Sequence, residues 1–413
     1  YKRQFINCME ALTANRKHNE ARALLNAGLK ESAQRQTAAT APAYVPTKPY
    51  VFPAVDGNMT YHTSWGSHGV KEEAETILSV LSSFRLRSTL AKINQGPRLT
   101  QYVIEPAPGT QVQSILRREK EFQAALHCNA SLRFDNGYVY IEVPTGTETV
   151  FLGDMLIDNA FQSSDGFTMA IGMAVDGSKH YIDIAKACHI LISGMTGSGK
   201  SIVLHNLILS LLMKKNPAQM HLYIIDPKAT EFEYYKNLAA CTVVSEVNGA
   251  VELLKNLCIE MDRRYSVLAS TGCRDIDSYN AKFADAPMRR DIVFIDELSD
   301  LMSMGGKSFE GHIVRIAQKA RACGIHLVIA TQYPVAKVVT GLIKANMPTK
   351  ICLRVSTVTN SMVALDMAGG EKLMGHGDML FLPNGSLSPV RLQGGFVSET
   401  AINNVVAGLM KNQ

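Results

Sequence analysis

Gly194-Met195-Thr196-Gly197-Ser198-Gly199-Lys200-Ser201 is the stretch that decides the fold. Gly194, Gly199, Lys200 and Ser201 fit the spacing G-x-x-x-x-G-K-S/T of a phosphate-binding loop. The apolar run His189-Ile-Leu-Ile-Ser leads into it and Ile202-Val-Leu-His-Asn-Leu-Ile-Leu leads out, which is the strand–loop–helix setting such a loop needs. Glycines let backbone N–H groups close around a β-phosphate, and the N-terminus of the following helix favours its negative charge. Lys200 is then expected on the β- and γ-phosphates and the Ser201 hydroxyl on Mg²⁺.

Outward from this loop, strand-like and helix-like segments alternate from about Val150, which predicts an α/β fold with a mostly parallel sheet. Core strands are expected at 168–175, 181–184, 222–225, 292–295, 327–330 and 350–355, and helices at 200–214, 248–268, 308–322 and 398–411. Asp291-Ile-Val-Phe-Ile-Asp296-Glu297 reads as a buried strand ending in two carboxylates. A phosphate-loop ATPase needs an Asp there to hold Mg²⁺ through water, and the adjacent Glu is placed to polarise the attacking water. Solvated acids at a strand end are the plainer alternative. The pair also counts against a small-molecule kinase, which has less need of a water-activating base. Ala330-Thr331-Gln332 ends another strand, with Gln332 either a γ-phosphate sensor or a strand-end cap. Ile225-Asp226-Pro227-Lys228 ends a third. Open α/β sheets bind ligands at the carboxyl ends of their strands, so these motifs are expected to converge.

A chain of 413 residues implies two or three domains. Hydrophobic residues make up 46% and charged ones 19%, the balance of a folded chain, yet no apolar run reaches the ~20 residues of a membrane span. A cytoplasmic location is expected. Because the chain starts at Tyr1, an upstream segment such as a membrane anchor is conceivable. Eight scattered cysteines without a C-x-x-C argue against a disulfide framework or zinc site. Residues 1–50 carry eight Lys or Arg against three Glu, which accounts for the whole net charge of +5. Overall charge is therefore weak evidence for a nucleic-acid partner, and a solvated tail is the simpler reading. Residues 1–33 carry helix formers, and four prolines between 42 and 53 forbid a long helix there. The expected organisation is a basic arm and Pro/Ala/Thr-rich linker over 1–69, a small α+β subdomain over 70–149 and a parallel-sheet α/β subdomain carrying the phosphate loop over 150–413. Within the small subdomain helices are expected at 71–86 and 112–127, a strand at 100–105, and a hairpin turning at Asp135-Asn136-Gly137.

Read together, these motifs resemble a family. Gly194–Ser201, Ile225-Asp-Pro-Lys, Met261-Asp-Arg-Arg-Tyr, Asp296-Glu297, Ala317-Gln-Lys-Ala-Arg-Ala-Cys-Gly-Ile-His, Ala330-Thr-Gln, Gly341-Leu-Ile-Lys-Ala-Asn and Gly377-Asp-Met-Leu are similar, in order, to the FtsK/SpoIIIE DNA translocase motor. Gly96-Pro-Arg-Leu-Thr and Glu105-Pro-Ala-Pro-Gly resemble its small α subdomain, and residues from about 150 its RecA-like β subdomain. The resemblance implies a hexameric ring that threads double-stranded DNA and moves it by hydrolysing ATP. It assigns Gly194–Ser201 and Asp296 to ATP, Ser201 and Asp296 to Mg²⁺, Glu297 to the base and Gln332 to the γ-phosphate sensor. Arg321 matches the arginine finger that reaches a neighbouring subunit's ATP; from the residues alone, Arg315, Lys319 and Arg321 read equally as a solvated helix face.

The chain departs from the family pattern where DNA is gripped. Tyr333 stands where the family has Arg, and Val358 and Met362 stand where it has Lys and Arg. Lys344 remains and Lys337 is an added candidate, so Tyr333, Lys337 and Lys344 are the expected DNA contacts. Each lost phosphate contact flattens the salt dependence of binding. No counterpart of the family's winged-helix γ domain follows, so reading of directional DNA sequences is not expected. The alternatives are a protein-translocating or conjugation-coupling ATPase of the same superfamily, a P-loop phosphotransferase and an assembly scaffold with negligible turnover.

Overall fold

A computed structural model describes residues 69–144, 146 and 149–411. The basic arm, the helices expected within 1–33 and nearly all of the linker lie outside the described residues. Two sheets organise the rest. The smaller joins β1 (Ser88–Gln95), β2 (Leu99–Pro106), β3 (Ser131–Asp135) and β4 (Tyr138–Pro144) in the antiparallel order β1-β2-β4-β3. Asn136 and Gly137 both take positive φ (48° and 86°), as a two-residue hairpin turn requires. Helices Val70–Ser83, Val112–Leu116 and Glu119–Leu126 close one face, burying Ile77, Leu81, Ile115 and Phe122 against Tyr102, Ile104, Val139 and Ile141.

The larger sheet has ten strands. They are β5 (Thr168–Ala174), β6 (Lys179–Asp183), β7 (Ile190–Ser193), β8 (Met220–Ile225), β9 (Cys241–Val244), β10 (Arg290–Ile295), β11 (Ile325–Thr331), β12 (Thr349–Leu353), β13 (Asp378–Leu382) and β14 (Val390–Gln393). Their order is β6-β5-β14-β13-β12-β7-β11-β10-β8-β9; β12 through β9 run parallel and the rest pair antiparallel. Each central strand feeds two cores. Ile190, Ile192, Ile292, Phe294 and Val328 face helices Lys200–Leu212 and Glu399–Met410, while Leu191, Val293, Ile295, Leu327 and Ile329 face helices Val247–Thr271 and Leu298–Lys319. This two-sided burial explains their near-continuous apolar runs.

The helix Lys200–Leu212 is buried on almost every side, so its polar residues need partners. His205 pairs with the Tyr235 hydroxyl at 2.7 Å, and burial pushes its pKa down to about 4. Asn206 donates to the Gly395 carbonyl, and Ser210 accepts from the Ala170 N–H. These bonds fasten the helix that follows the phosphate loop to β5, to the segment after β14 and to the turn at Tyr235.

Several elements differ from expectation. The strand β1 has no counterpart in the sequence reading, because a bulge between Leu90 and Lys92 breaks its alternation. The segment 112–127 is two helices separated at Arg117–Arg118. The helix expected at 308–322 begins at Leu298 and kinks at Gly306 (φ 58°, ψ −151°), the point where its glycines imply a break.

Candidate functional site

The phosphate loop leaves β7 in the middle of the parallel strands. Gly197 (φ 78°) and Gly199 (φ 99°) hold conformations that side chains disfavour. The loop is also tightly seated. Gly194 donates its N–H to the Thr331 carbonyl at 3.1 Å, Met195 to the Arg354 carbonyl at 2.8 Å and Ser198 to Met195 at 3.0 Å. A Cβ on Gly194 would stand 2.5 Å from the Ser198 hydroxyl, and one on Gly199 would stand 2.6 Å from the Gly377 nitrogen. The spacing of the motif is thus set by packing on β12 and the loop before β13 as well as by room for a ligand.

Lys200 opens the 13-residue helix and is buried. Its ammonium donates to the Asp296 carbonyl oxygen at 2.5 Å and to Asp296 Oδ1 at 2.7 Å, across 96 residues of sequence. Burial raises the Asp296 pKa above the ordinary carboxylate value, with Lys200 opposing the rise and Asp226 adding to it. The Ser201 hydroxyl and the Asp296 carboxylate are hard oxygen donors, the set that Mg²⁺ takes when substrate phosphates and water complete its shell. The residues present therefore fit that ion. Asp226, at the end of β8, is occupied otherwise. It accepts from the backbone N–H groups of Lys228, Thr230, Glu231 and Phe232 at 3.1–3.2 Å and knots the β8 turn.

Glu297 is buried beside Asp296 and fully engaged. Its Oε1 accepts from Ser299 N (3.1 Å), Ser299 Oγ (2.7 Å) and Thr331 Oγ1 (2.9 Å), and its Oε2 from Gln332 N (2.9 Å). The end of β11 and a helix N-terminus hold this one carboxylate. Gln332 in turn accepts from the Thr196 hydroxyl at 2.8 Å, linking the end of β11 to the tip of the phosphate loop. The parallel pairing of β10 with β11 and β11 with β7 is what brings the three motifs to one edge. Ser299, Thr331 and Gly377 went unassigned in the sequence reading. The only signal for Thr331 is its place beside Gln332, and for Gly377 its place in Gly377-Asp-Met-Leu; Ser299 has none.

Arg321 lies elsewhere. It precedes β11, at the opposite edge of the sheet from the phosphate loop, and its Nη2 reaches the Lys186 carbonyl at 3.5 Å on an exposed surface. A strand the length of β11 separates the two by about 20 Å, so Arg321 cannot reach the site of its own chain. Of the expected DNA contacts, Lys337 is exposed and Lys344 is not free: its ammonium meets Asp366 at 2.6 Å and the Met362 carbonyl at 2.8 Å. Tyr333 (63% exposed), Leu342 (59%), Val358 (52%) and Met362 (45%) put apolar side chains into solvent on the two segments where the family has cations. Asn360 Nδ2 donates to the Pro334 carbonyl, so the two segments adjoin.

Comparison with known proteins falls into line with this geometry. Residues 152–336 match the model of the FtsK/SpoIIIE family, and residues 57–145 match that of the FtsK alpha domain. The chain belongs to the FtsK/SpoIIIE family. It is 39% identical over 377 residues to the DNA translocase SftA of Bacillus subtilis, covering 87% of this chain and 39% of that protein. It is 40% identical over 351 residues to the DNA translocase FtsK of Caldanaerobacter subterraneus, covering 83% and 49%. The chain thus spans less than half the length of these two relatives. Among solved structures, the pCW3 conjugation coupling protein TcpA, determined with ATPγS, is similar at 25% identity and a TM-score of 0.59, over 81% of this chain and 99% of that one. The cytoplasmic domain of the type VII secretion ATPase EccC of Thermomonospora curvata shares the fold, at 23% identity and a TM-score of 0.56 over 64% and 34%. The FtsK/SpoIIIE core here is a P-loop α/β fold, and among the described residues no helix is long and apolar enough to cross a membrane.

Proposed function

We propose that this chain is an ATP-hydrolysing motor that moves double-stranded DNA, working as a ring of identical subunits with six as the expected number. The observation that carries the reading is the convergence of Lys200, Asp296 and Glu297 at one edge of the sheet, in a chain of the FtsK/SpoIIIE family. Gly194–Ser201 wraps the ATP phosphates with its N–H groups, and Lys200 exchanges Asp296 for phosphate oxygens. Ser201 and Asp296 hold Mg²⁺, which neutralises phosphate charge when bound. Glu297 accepts the proton of the attacking water, and Gln332, tethered to Thr196, stands where it senses the γ-phosphate. Arg321 faces away from its own site, which supports a role at the site of the adjacent subunit.

The test is steady-state ATP hydrolysis with and without long linear duplex DNA, with Lys200→Ala as the blank. Strong stimulation that fades as salt rises is the expected result. The exposed apolar strip of Tyr333, Val358 and Met362 favours a second reading, in which the same motor carries protein. Turnover indifferent to duplex DNA would select it.

A further inference from the structure

The Met374–Asp378 segment lies directly behind the phosphate loop. Gly377 donates its N–H to the Ser198 carbonyl at 2.7 Å, and the same nitrogen is what a Cβ on Gly199 would strike. Gly375, His376 and Gly377 all have positive φ (86°, 52° and 91°), which folds the segment tightly enough to make that contact.

Its other side is held by the small subdomain. Arg98, in the β1–β2 connection, donates Nη1 to the carbonyls of Gly375 and His376 at 3.3 and 3.2 Å. Asp378 accepts from Met374 N at 2.7 Å and, bidentate, from Arg391 at 3.0 and 2.7 Å. The remaining Arg391 nitrogen bonds Glu142 on β4. Glu142 is itself fixed by Gln101, Ser131 and Arg133, one each from β2 and β3 and a second from β3, at 3.1–3.2 Å. Burial disfavours its carboxylate, but Arg391 and Arg133 outweigh that and hold its pKa below the ordinary value. An unbroken run of polar contacts therefore joins the Ser198 carbonyl to the small sheet. A cavity of about 10 Å³ lies in this joint, lined by Arg98, Asp378, Arg391 and Gln393 among others. Arg98 Nε and Gln393 Oε1 are buried without partners. The joint is connected by charge, and it is not packed shut.

We infer that the Met374–Asp378 segment, gripped by Arg98, transmits movement of the phosphate loop to the small subdomain, which makes Arg98 a positioning residue of the motor. Closure of Ser198 and Gly199 on phosphates draws Gly377 with them. Arg98 carries that displacement to the β1–β2 connection, and the Arg391–Glu142 pair carries it to β4. The inference rests on the reading that Gly194–Ser201 binds nucleotide.

Amide hydrogen exchange of the full chain with and without ATPγS tests it, in the wild type and in Arg98→Ala. In the wild type, ATPγS slows exchange across Leu99–Pro106 and Tyr138–Pro144 several-fold. Arg98→Ala binds ATPγS as the wild type does and keeps its KM for ATP, loses the protection across Leu99–Pro106, and keeps part of that across Tyr138–Pro144, which Arg391 still joins to Asp378, while its DNA-stimulated kcat falls about tenfold. Equal protection of the small sheet in both proteins overturns the inference, as does a wild-type small sheet that ignores ATPγS. Arg98→Lys, which keeps one donor and serves should the alanine variant not fold, gives intermediate protection; full protection there counts against the relay. A wild type that fails to bind ATPγS overturns the nucleotide reading and the relay with it. Protection by ATPγS without DNA stimulation overturns the DNA cargo alone.

Discussion

Under the proposed function Glu297 is the base, and four donors hold its carboxylate. Glu297→Gln keeps the size and can keep contacts to Ser299 and Thr331, but it cannot take a proton. ATP binding is expected to survive while turnover drops about 10²–10⁴-fold, measured by nucleotide titration beside a phosphate-release assay. Thr331→Val removes one of the four donors and loosens the hold on the carboxylate. Its kcat is expected to fall about tenfold with KM for ATP retained; a variant with unchanged kcat would mean that Thr331 does not orient the base. Lys200, Ser201, Asp296 and Glu297 were legible in the sequence because each stands at a fixed offset from an apolar run. The partners of Glu297 were less so. Thr331 acquires its role only when β11 is laid beside β10, a pairing that spacing along the chain does not specify.

At the scale of elements, the apolar runs and their turn residues predicted most of the core strands and the hairpin at Asn136-Gly137. The failures have local causes. The bulge in β1 spoiled its period, and β13 and β14 are short strands whose meaning comes from antiparallel pairing with β12 and β5. The ion pairs joining the two sheets were hidden for the same reason, since Glu142 and Arg391 are 249 residues apart. Their linkage to pH has a definite sign. Arg391 and Arg133 depress the Glu142 pKa in the folded chain despite burial, so its contribution is present above the unfolded carboxylate value and is lost as pH falls through the folded one. Glu142→Gln is expected to cost about 3–5 kcal/mol at neutral pH, because it leaves Arg391 short of a buried partner. Denaturant unfolding at several pH values checks this. The gap from wild type narrows below about pH 4.3, whereas a gap that widens in acid would contradict the assignment.

For the molecule as a whole, the placement of Arg321 on the edge opposite the phosphate loop makes one chain an incomplete hydrolase under this account. Arg321→Ala and Lys200→Ala are each expected to lose at least about 10³-fold in turnover. Mixing the two proteins regenerates interfaces with an intact lysine on one side and an intact arginine on the other, so part of the turnover returns. A mixture no more active than its components would argue that Arg321 serves its own chain structurally. The segments expected to grip cargo are where this chain departs from the family pattern, since Tyr333, Val358 and Met362 present apolar surface and Asp366 holds Lys344. Movement along DNA is therefore the claim to measure directly, by displacement of a third strand from the far end of a linear duplex. Displacement is expected with ATP, none with ATPγS and none by Glu297→Gln. Brisk ATP turnover with the third strand left in place would contradict it.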